Sequence, residues 1–120
     1  MVDEHRRGWA LRYIREAEAE LQAAKSSPNM APSLIVDAMR KAQAAIYHCL
    51  GEPSSVEKVV LQSLKDDKIE DPILRYLVEI EKSIRLISNM PVSSVDEALK
   101  EASELVRVAY DVISILIGED

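Results

Sequence analysis

Phenylalanine is absent from this chain of 120 residues, glycine occurs only three times, and Cys49 is the single cysteine. The abundant residues include Ala, Leu, Ile, Glu, Lys and Arg, most of which are good helix formers, so the composition favours an all-α protein over a sheet protein. One cysteine cannot form an intramolecular disulfide, which fits a reducing compartment. We therefore expect a helical protein located in the cytoplasm.

Long uncharged apolar segments are also lacking. Residues 1–7 are charged and no apolar stretch follows them, so we expect no signal peptide. The most apolar stretch, residues 105–117, contains Arg107 and Asp111 and is too short to span a bilayer. We expect no membrane partner.

Positive charge is in the minority. Lys and Arg number 15 against 21 Asp and Glu, which gives a net charge of −6. Non-specific binding to DNA or RNA needs positive surface that releases counterions. Binding of nucleic acid or nucleotide is therefore not favoured, although a local basic patch would be compatible with this balance.

Apolar residues recur at spacings of three and four in four long segments, which is typical of amphipathic helices. The stripes are Ala10, Ile14, Ala17, Leu21 and Ala24; Ile35, Ala38, Ala42, Ala45 and Cys49; Ile73, Leu77, Ile80, Ile84 and Ile87; and Ala98, Ala102, Leu105, Ala109, Val112 and Leu116. They predict one domain, residues 1–120, folded as an antiparallel four-helix bundle with one additional short helix near the midpoint. The alanines predict a tight antiparallel pair of the first two helices.

Helix starts and ends are predicted by capping residues. Ser54–Glu57 and Ser94–Glu97 have the spacing of capping boxes, in which the serine accepts a hydrogen bond from a free backbone N–H and the glutamate reaches back. Asp71–Pro72 is typical of a cap followed by the first helical position. Gly51 and Gly118 are placed to end the helices that precede them.

Three segments together resemble a known family. Residues 9–21, WALRYIREAEAEL, and residues 38–47, AMRKAQAAIY, are similar to the opening helix pair of HEPN domains, the higher eukaryote and prokaryote nucleotide-binding domains. Residues 96–106, DEALKEASELV, resemble their last core helix. The resemblance rests on helix order, alanine placement and loop lengths, and small archaeal helical-bundle proteins look alike in the same way. It implies a helical bundle, and either an RNase or toxin active at a dimer interface or a partner of a minimal nucleotidyltransferase.

The catalytic pattern of that family is incomplete in this chain. RNase members carry an Arg and a His separated by four to six residues, whereas seven residues lie between Arg40 and His48, and Lys41, which has six, is not an arginine. The resemblance therefore implies a non-catalytic member. The alternative is an RNA- or nucleotide-processing enzyme in which a helix face with Arg40, Lys41 and His48 binds phosphate or performs acid–base chemistry.

Other candidate sites have simpler structural interpretations. Trp9 and Tyr13 lie among arginines and could stack on a nucleic-acid base, but Arg12 is spaced to pair with Glu16 on the same helix. The four tyrosines, one in each long helix, could line a shared cavity but are more typical of core edges. No glycine-rich phosphate loop and no spacing of metal ligands is present, so we expect no cofactor and no metal.

The last predicted helix has more apolar residues than one stripe requires. Val106, Ile113, Ile115 and Ile117, together with Val108, widen its apolar surface beyond a single face. A helix that is apolar most of the way round is buried on most sides. We expect Val106, Ile113, Ile115 and Ile117 to form a homodimer interface; alternatively, the short middle helix, with Val59, Val60 and Leu64, covers them.

Overall fold

All four apolar stripes lie on helices of the computed structural model, which describes residues 2–91 and 94–118. The helices are α1 (Glu4–Ser26), α2 (Ala31–Leu50), α3 (Pro53–Gln62), α4 (Pro72–Ser88) and α5 (Val95–Leu116). The described ranges contain no strand, which confirms the all-α prediction. Cys49 is buried, as its place on the α2 stripe predicts.

The start of α3 differs from the predicted capping box. The cap is Glu52, whose carboxylate accepts hydrogen bonds from the backbone N–H groups of Ser54 at 3.2 Å and Ser55 at 3.0 Å. Pro53 has no N–H and a φ suited to a first turn, so the helix starts one residue before Ser54. The prediction that Ser54 caps this helix is therefore wrong. Hydrogen bonds to its carboxylate lower the pKa of Glu52 to about 2, which keeps the cap ionised.

The other predicted caps have different outcomes. Asp71 caps α4 as predicted, because its Oδ1 accepts from the backbone N–H groups of Ile73 at 2.8 Å and Leu74 at 3.1 Å. Ser94 lies at the cap position of α5 but makes no side-chain cap bond, so the second capping box is not formed. Gly118, the residue after the C-cap Ile117 of α5, has a φ of 76°, a conformation that ends helices and favours glycine.

Helix α2 is the central element of the fold and packs against each of the other four helices. Its most extensive partner is α1, and residues near the start of α1 meet the end of α2: Trp9 stacks on His48, whereas Glu20 contacts Lys41. The two helices are therefore antiparallel, as predicted. Helix α3 packs mainly on α2 and α4, so it does not cover the surplus apolar residues of α5.

Alanine side chains determine which helices approach one another most closely. Ten of the buried apolar residues are alanines, and all ten lie on α1, α2 and α5: Ala10, Ala17, Ala24, Ala31, Ala38, Ala42, Ala45, Ala98, Ala102 and Ala109. Helix α4 contributes only larger apolar residues to the core, among them Leu77, Ile80 and Ile84. Since the interaxial distance depends on the side chains at the contact, α1, α2 and α5 pack closely and α4 lies further out.

The four residues predicted to form an interface on α5 are separated by the structure. Val106 and Ile113 are buried in the core of the same chain, because they share the face of α5 that holds Ala102 and Ala109. Ile115 is 78% exposed, and Ile117 is partly buried against the core. Only Ile115 and Ile117 of the four therefore reach the surface.

No helix in the described ranges combines the length and the apolar character that crossing a membrane requires.

Replacement of Ala17 by leucine tests the close packing of α1. Ala17 is fully buried, so the extra side-chain atoms must push helices apart, and we expect Ala17→Leu to lower the free energy of unfolding by about 1–3 kcal/mol. Ala19 is exposed on the same helix, and Ala19→Leu should change that free energy by less than about 0.5 kcal/mol. Urea unfolding followed by circular dichroism measures both. Equal effects of the two variants would contradict close packing at Ala17.

Candidate functional site

His48 lies near the C-terminus of α2 in a cluster of rings that we call the aromatic cluster, formed by His5, Trp9, Tyr13 and His48. The imidazole of His48 stacks on the Trp9 ring at a centroid distance of 6.1 Å and contacts the Tyr13 ring at a centroid distance of 5.4 Å. Nδ1 donates a hydrogen bond to the carbonyl oxygen of Ala44 at 2.8 Å, since a carbonyl oxygen can only accept. The Nδ1 nitrogen of His48 is therefore already hydrogen-bonded to the backbone.

Arg12, which lies over the Trp9 ring of the aromatic cluster, is paired with a carboxylate. The Arg12 guanidinium lies 5.2 Å from the centroid of the Trp9 ring and pairs with Glu16 at 2.9 Å. A base stacking on Trp9 would meet His48 on the ring or displace Arg12 from it. The aromatic rings of this cluster thus pack against one another, and the pairing of Arg12 with Glu16 is as the sequence predicts.

Lys41 points towards α1 and is surrounded by carboxylates. Its ammonium pairs with Glu20, with Glu16 at 3.1 Å and with Asp37 at 3.3 Å. The hydrogen bond with Glu20 is the main reason that the pKa of Lys41 is raised above its ordinary value. Burial and the neighbouring Asp37 raise the pKa of Glu20, whereas a hydrogen bond from Glu20 lowers that of Asp37. Lys41 therefore links α2 to α1 and is not available for a phosphate.

Arg40 points to the other side of α2 and binds α4. Its guanidinium donates to Oε1 of Glu81 at 2.6 Å and to Gln43 at 3.2 Å. Glu81 is only 3% exposed and also accepts hydrogen bonds from Gln43 at 2.9 Å and Arg85 at 3.0 Å. Burial raises the pKa of Glu81, but these three donors outweigh it and leave the pKa below its ordinary value.

The three residues predicted as an alternative catalytic face thus lie in three different environments. Arg40 contacts α4, Lys41 contacts the acidic residues of α1, and His48 belongs to the aromatic cluster. His48 lies seven residues after Lys41 on the same helix, a rise of about 10 Å along the axis. No positively charged side chain is therefore placed beside His48 by its own helix.

Other reactive groups are buried or dispersed. Burial raises the pKa of the Cys49 thiol to about 11, so it is not a reactive thiolate at neutral pH. Tyr47 is buried and its hydroxyl has no hydrogen-bond partner in the described structure, while Tyr76 donates to the carbonyl oxygen of Leu105. Tyr110 is exposed, so the tyrosines line no shared cavity. Within the described residues, no group of three His, Cys, Asp or Glu side chains is arranged to hold a metal ion.

The described residues form several surface clefts that were not predicted from the sequence, two of them near the connection from α3 to α4. The larger, of about 680 Å³, follows α4 beside the connection from α3 and is lined by both acidic and basic side chains, including Asp66, Glu79 and Lys82. The smaller, of about 240 Å³, lies between the end of α2, α3 and α4. We call the smaller one the apolar cleft; it is lined by Leu50, Val56, Val59, Asp71, Ile73, Leu74 and Leu77.

The sequence did contain a signal for the buried polar pair, Gln43 and Glu81. Gln43 follows Ala42 on the buried side of α2, and Glu81 follows Ile80 on that of α4, so both are polar residues beside core positions. Polar residues at such positions need partners, because an unpaired buried carboxylate is very costly. The pairing of Glu81 with Arg40 was missed because these two residues are 41 positions apart in the chain.

Removal of the Glu81 carboxylate tests its role in joining α2 to α4. Glu81→Ala leaves buried Gln43 without its acceptor, and we expect it to lower the free energy of unfolding by about 1–3 kcal/mol. Glu79 is exposed on the same helix and has no ion-pair partner in the described structure, so Glu79→Ala should cost less than about 0.5 kcal/mol. A Glu81→Ala variant as stable as Glu79→Ala would show that the carboxylate does not stabilise the fold.

The pH dependence of stability provides a second test of Glu81. Because its pKa is lower in the folded chain than in the unfolded chain, its stabilisation is complete above about pH 4.3 and is lost as the pH falls below that value. Glu81→Gln should therefore lose less stability between pH 5 and acid pH than the unmodified chain does. Thermal unfolding at a series of pH values measures the difference, and parallel pH profiles would contradict it.

Comparisons with known proteins give no relative for this site: no family model matches the chain, and no match is found among curated proteins or solved structures.

Proposed function

We propose that this chain is a non-enzymatic, HEPN-like protein-interaction module of the cytoplasm that forms a homodimer and pairs with a nucleotidyltransferase. In this proposal, α1, α2, α4 and α5 form an antiparallel four-helix bundle and α3 is the additional short helix. The central place of α2 and the antiparallel pairing of α1 with α2 support this arrangement. The nucleotidyltransferase partner is supported only by the family resemblance of residues 9–21, 38–47 and 96–106.

The observation that carries the non-enzymatic interpretation is the pairing of Arg40 and Lys41. Each is held by acidic side chains on a neighbouring helix, with Glu81 on one side and Glu16 and Glu20 on the other. A phosphate would have to displace carboxylates that already satisfy these cations, and like-charge repulsion would oppose its approach. These contacts support a structural role for both residues.

The homodimer is supported by the exposed end of α5. Val108, Val112 and Ile115 are spaced i, i+4 and i+7, so they share one face of the helix, which we call the α5 face. Val108 and Ile115 are exposed, and Ile117 lies just beyond at the end of the helix. Contiguous exposed aliphatic side chains are typical of interaction surfaces, and a second copy of the chain would bury them by symmetry.

A charge on the α5 face tests the dimer. We expect light scattering to give twice the 13.4 kDa mass of one chain, and Ile115→Glu to return the mass to that of a monomer, because a buried unpaired carboxylate opposes association. Leu86 on α4 is similarly exposed, at 68%, and Leu86→Glu should leave the dimer intact. A monomer at every concentration, or equal effects of the two variants, would contradict the proposal.

An activity assay separates the proposal from its alternative, an RNA- or nucleotide-processing enzyme using Arg40, Lys41 and His48. We expect no RNA cleavage and no nucleotide binding by the unmodified chain, and the same result for His48→Ala. Cleavage that the unmodified chain performs and His48→Ala loses by about a hundredfold or more would favour the enzyme, since general acid–base catalysis contributes rate factors of that order.

A further inference from the structure

The side of α5 that points away from the core carries a row of charges. Lys100, Glu104, Arg107 and Asp111 are all exposed and follow one another at spacings of four, three and four residues. On a helix these spacings place the four side chains within an arc of about 60°, on the side opposite the buried residues of α5. We call these four residues the charged ridge; its charges alternate in sign along the helix, starting with a cation.

The charges of the charged ridge are not neutralised within the chain. Side chains three or four residues apart on a helix can pair with each other. Within the described residues, however, none of the four ridge side chains forms a hydrogen bond or an ion pair. Glu18 and Lys25 of α1 share a surface cleft with Arg107 and Asp111, and since they are one of each sign they add no net charge. The ridge is therefore available to a partner from outside the chain.

A two-fold axis makes the charged ridge complementary to a second copy of itself. In an isologous dimer, a contact of residue i with residue j of the other copy is always matched by a contact of j with i. When two α5 helices lie antiparallel with Glu104 opposite Arg107 of the second copy, Lys100 lies opposite Asp111 of the second copy, because Lys100 precedes Glu104 by four residues and Asp111 follows Arg107 by four. Each ridge charge of both copies then faces a charge of opposite sign.

The remaining acidic residues of α5 are compatible with this register. Asp96, Glu97 and Glu101 lie opposite Ile115, Ser114 and Tyr110 of the second copy, so no carboxylate faces another. A parallel pair in register would instead place each ridge residue against its own copy, and like charges oppose association. Shifting the antiparallel pair by one heptad leaves Asp111 without a cation in one direction, and Lys100 and Glu104 without partners in the other.

The charged ridge borders the α5 face, so one contact involves both. Val108 follows Glu104 by four residues and Ile115 follows Asp111 by four, which places both aliphatic side chains beside the ridge. They are 43% and 78% exposed. A second α5 that lies along the ridge covers part of this apolar surface, which contributes affinity, while the alternating charges determine the orientation.

We propose that the two copies of the homodimer pair through antiparallel α5 helices, with Lys100 of each copy against Asp111 of the other and Glu104 against Arg107. This inference rests on the proposed function, because it requires a homodimer. It goes further in assigning the orientation, the register and the residues that recognise the second copy. A dimer formed through another arrangement of α5 would leave the proposed function intact, so the two can fail separately.

Exchange of the charges at positions 104 and 107 tests the register. The Kd of the dimer is measured by light scattering over a dilution series of the full chain. We expect Glu104→Arg alone and Arg107→Glu alone each to raise Kd by about tenfold or more, because each places two like-charge pairs in the dimer. The double variant, Glu104→Arg with Arg107→Glu, restores opposite charges and should return Kd to within about threefold of that of the unmodified chain.

Glu79→Arg is the matched control. Glu79 is exposed on α4, and its replacement changes the net charge as Glu104→Arg does. It should change Kd by less than about twofold. Both ridge positions are exposed, so circular dichroism should show the same helix content in every variant. Added salt should weaken the unmodified dimer, because exposed ion pairs are screened.

The outcomes separate the register from the dimer itself. A double variant that dissociates as readily as the single variants, or single variants that match Glu79→Arg, would overturn the proposed register and leave the homodimer standing. An unmodified chain that is monomeric at every concentration would overturn the homodimer and this inference together.

Discussion

The close approach of α1, α2 and α5, which buried alanines allow, is the constraint on which the rest of the structure depends. An alanine at a contact lets two helix backbones come close together, and α2 carries buried alanines over its first three quarters, from Ala31 to Ala45. Helix α4 packs on α2 through leucine and isoleucine and therefore lies further from the other helices. The same asymmetry leaves room for α3 to pack between the end of α2 and α4, and the apolar cleft lies where these three helices meet.

Charged residues on α2 hold its neighbours in place on either side of this core. Lys41 pairs with Glu16 and Glu20 of α1, and Arg40 pairs with buried Glu81 of α4. Adjacent cations thus join α2 to two different helices, which exposed ion pairs along a single helix could not do. Because Glu81 is buried and fully hydrogen-bonded, its pairing specifies the register of α4 against α2 in addition to stabilising it.

Local patterns in the sequence predicted the helices well because each helix repeats its apolar residues at a helical period. The α1 stripe from Ala10 to Ala24 is buried throughout, and Asp71 caps α4 as its spacing with Pro72 indicates. Competition between neighbouring caps was less predictable, since Glu52 takes the place that Ser54 was expected to occupy. Long-range pairing was not predictable from one sequence: nothing local indicates that Arg40 reaches Glu81. The apolar cleft was missed for the same reason, because its lining comes from three helices. Val106 and Ile113 did carry a local signal, since they share a helix face with Ala102 and Ala109 of the predicted stripe.

The central claim, that alanine-mediated packing makes α2 the core of the fold, is tested most directly by native-state hydrogen exchange resolved at single amides. The account predicts that amides of α2 between Ala38 and Ile46 exchange only through global unfolding, while those of α3, with Val60 as its single buried residue, exchange through smaller openings. Protection of α2 no greater than that of α3 would contradict the account.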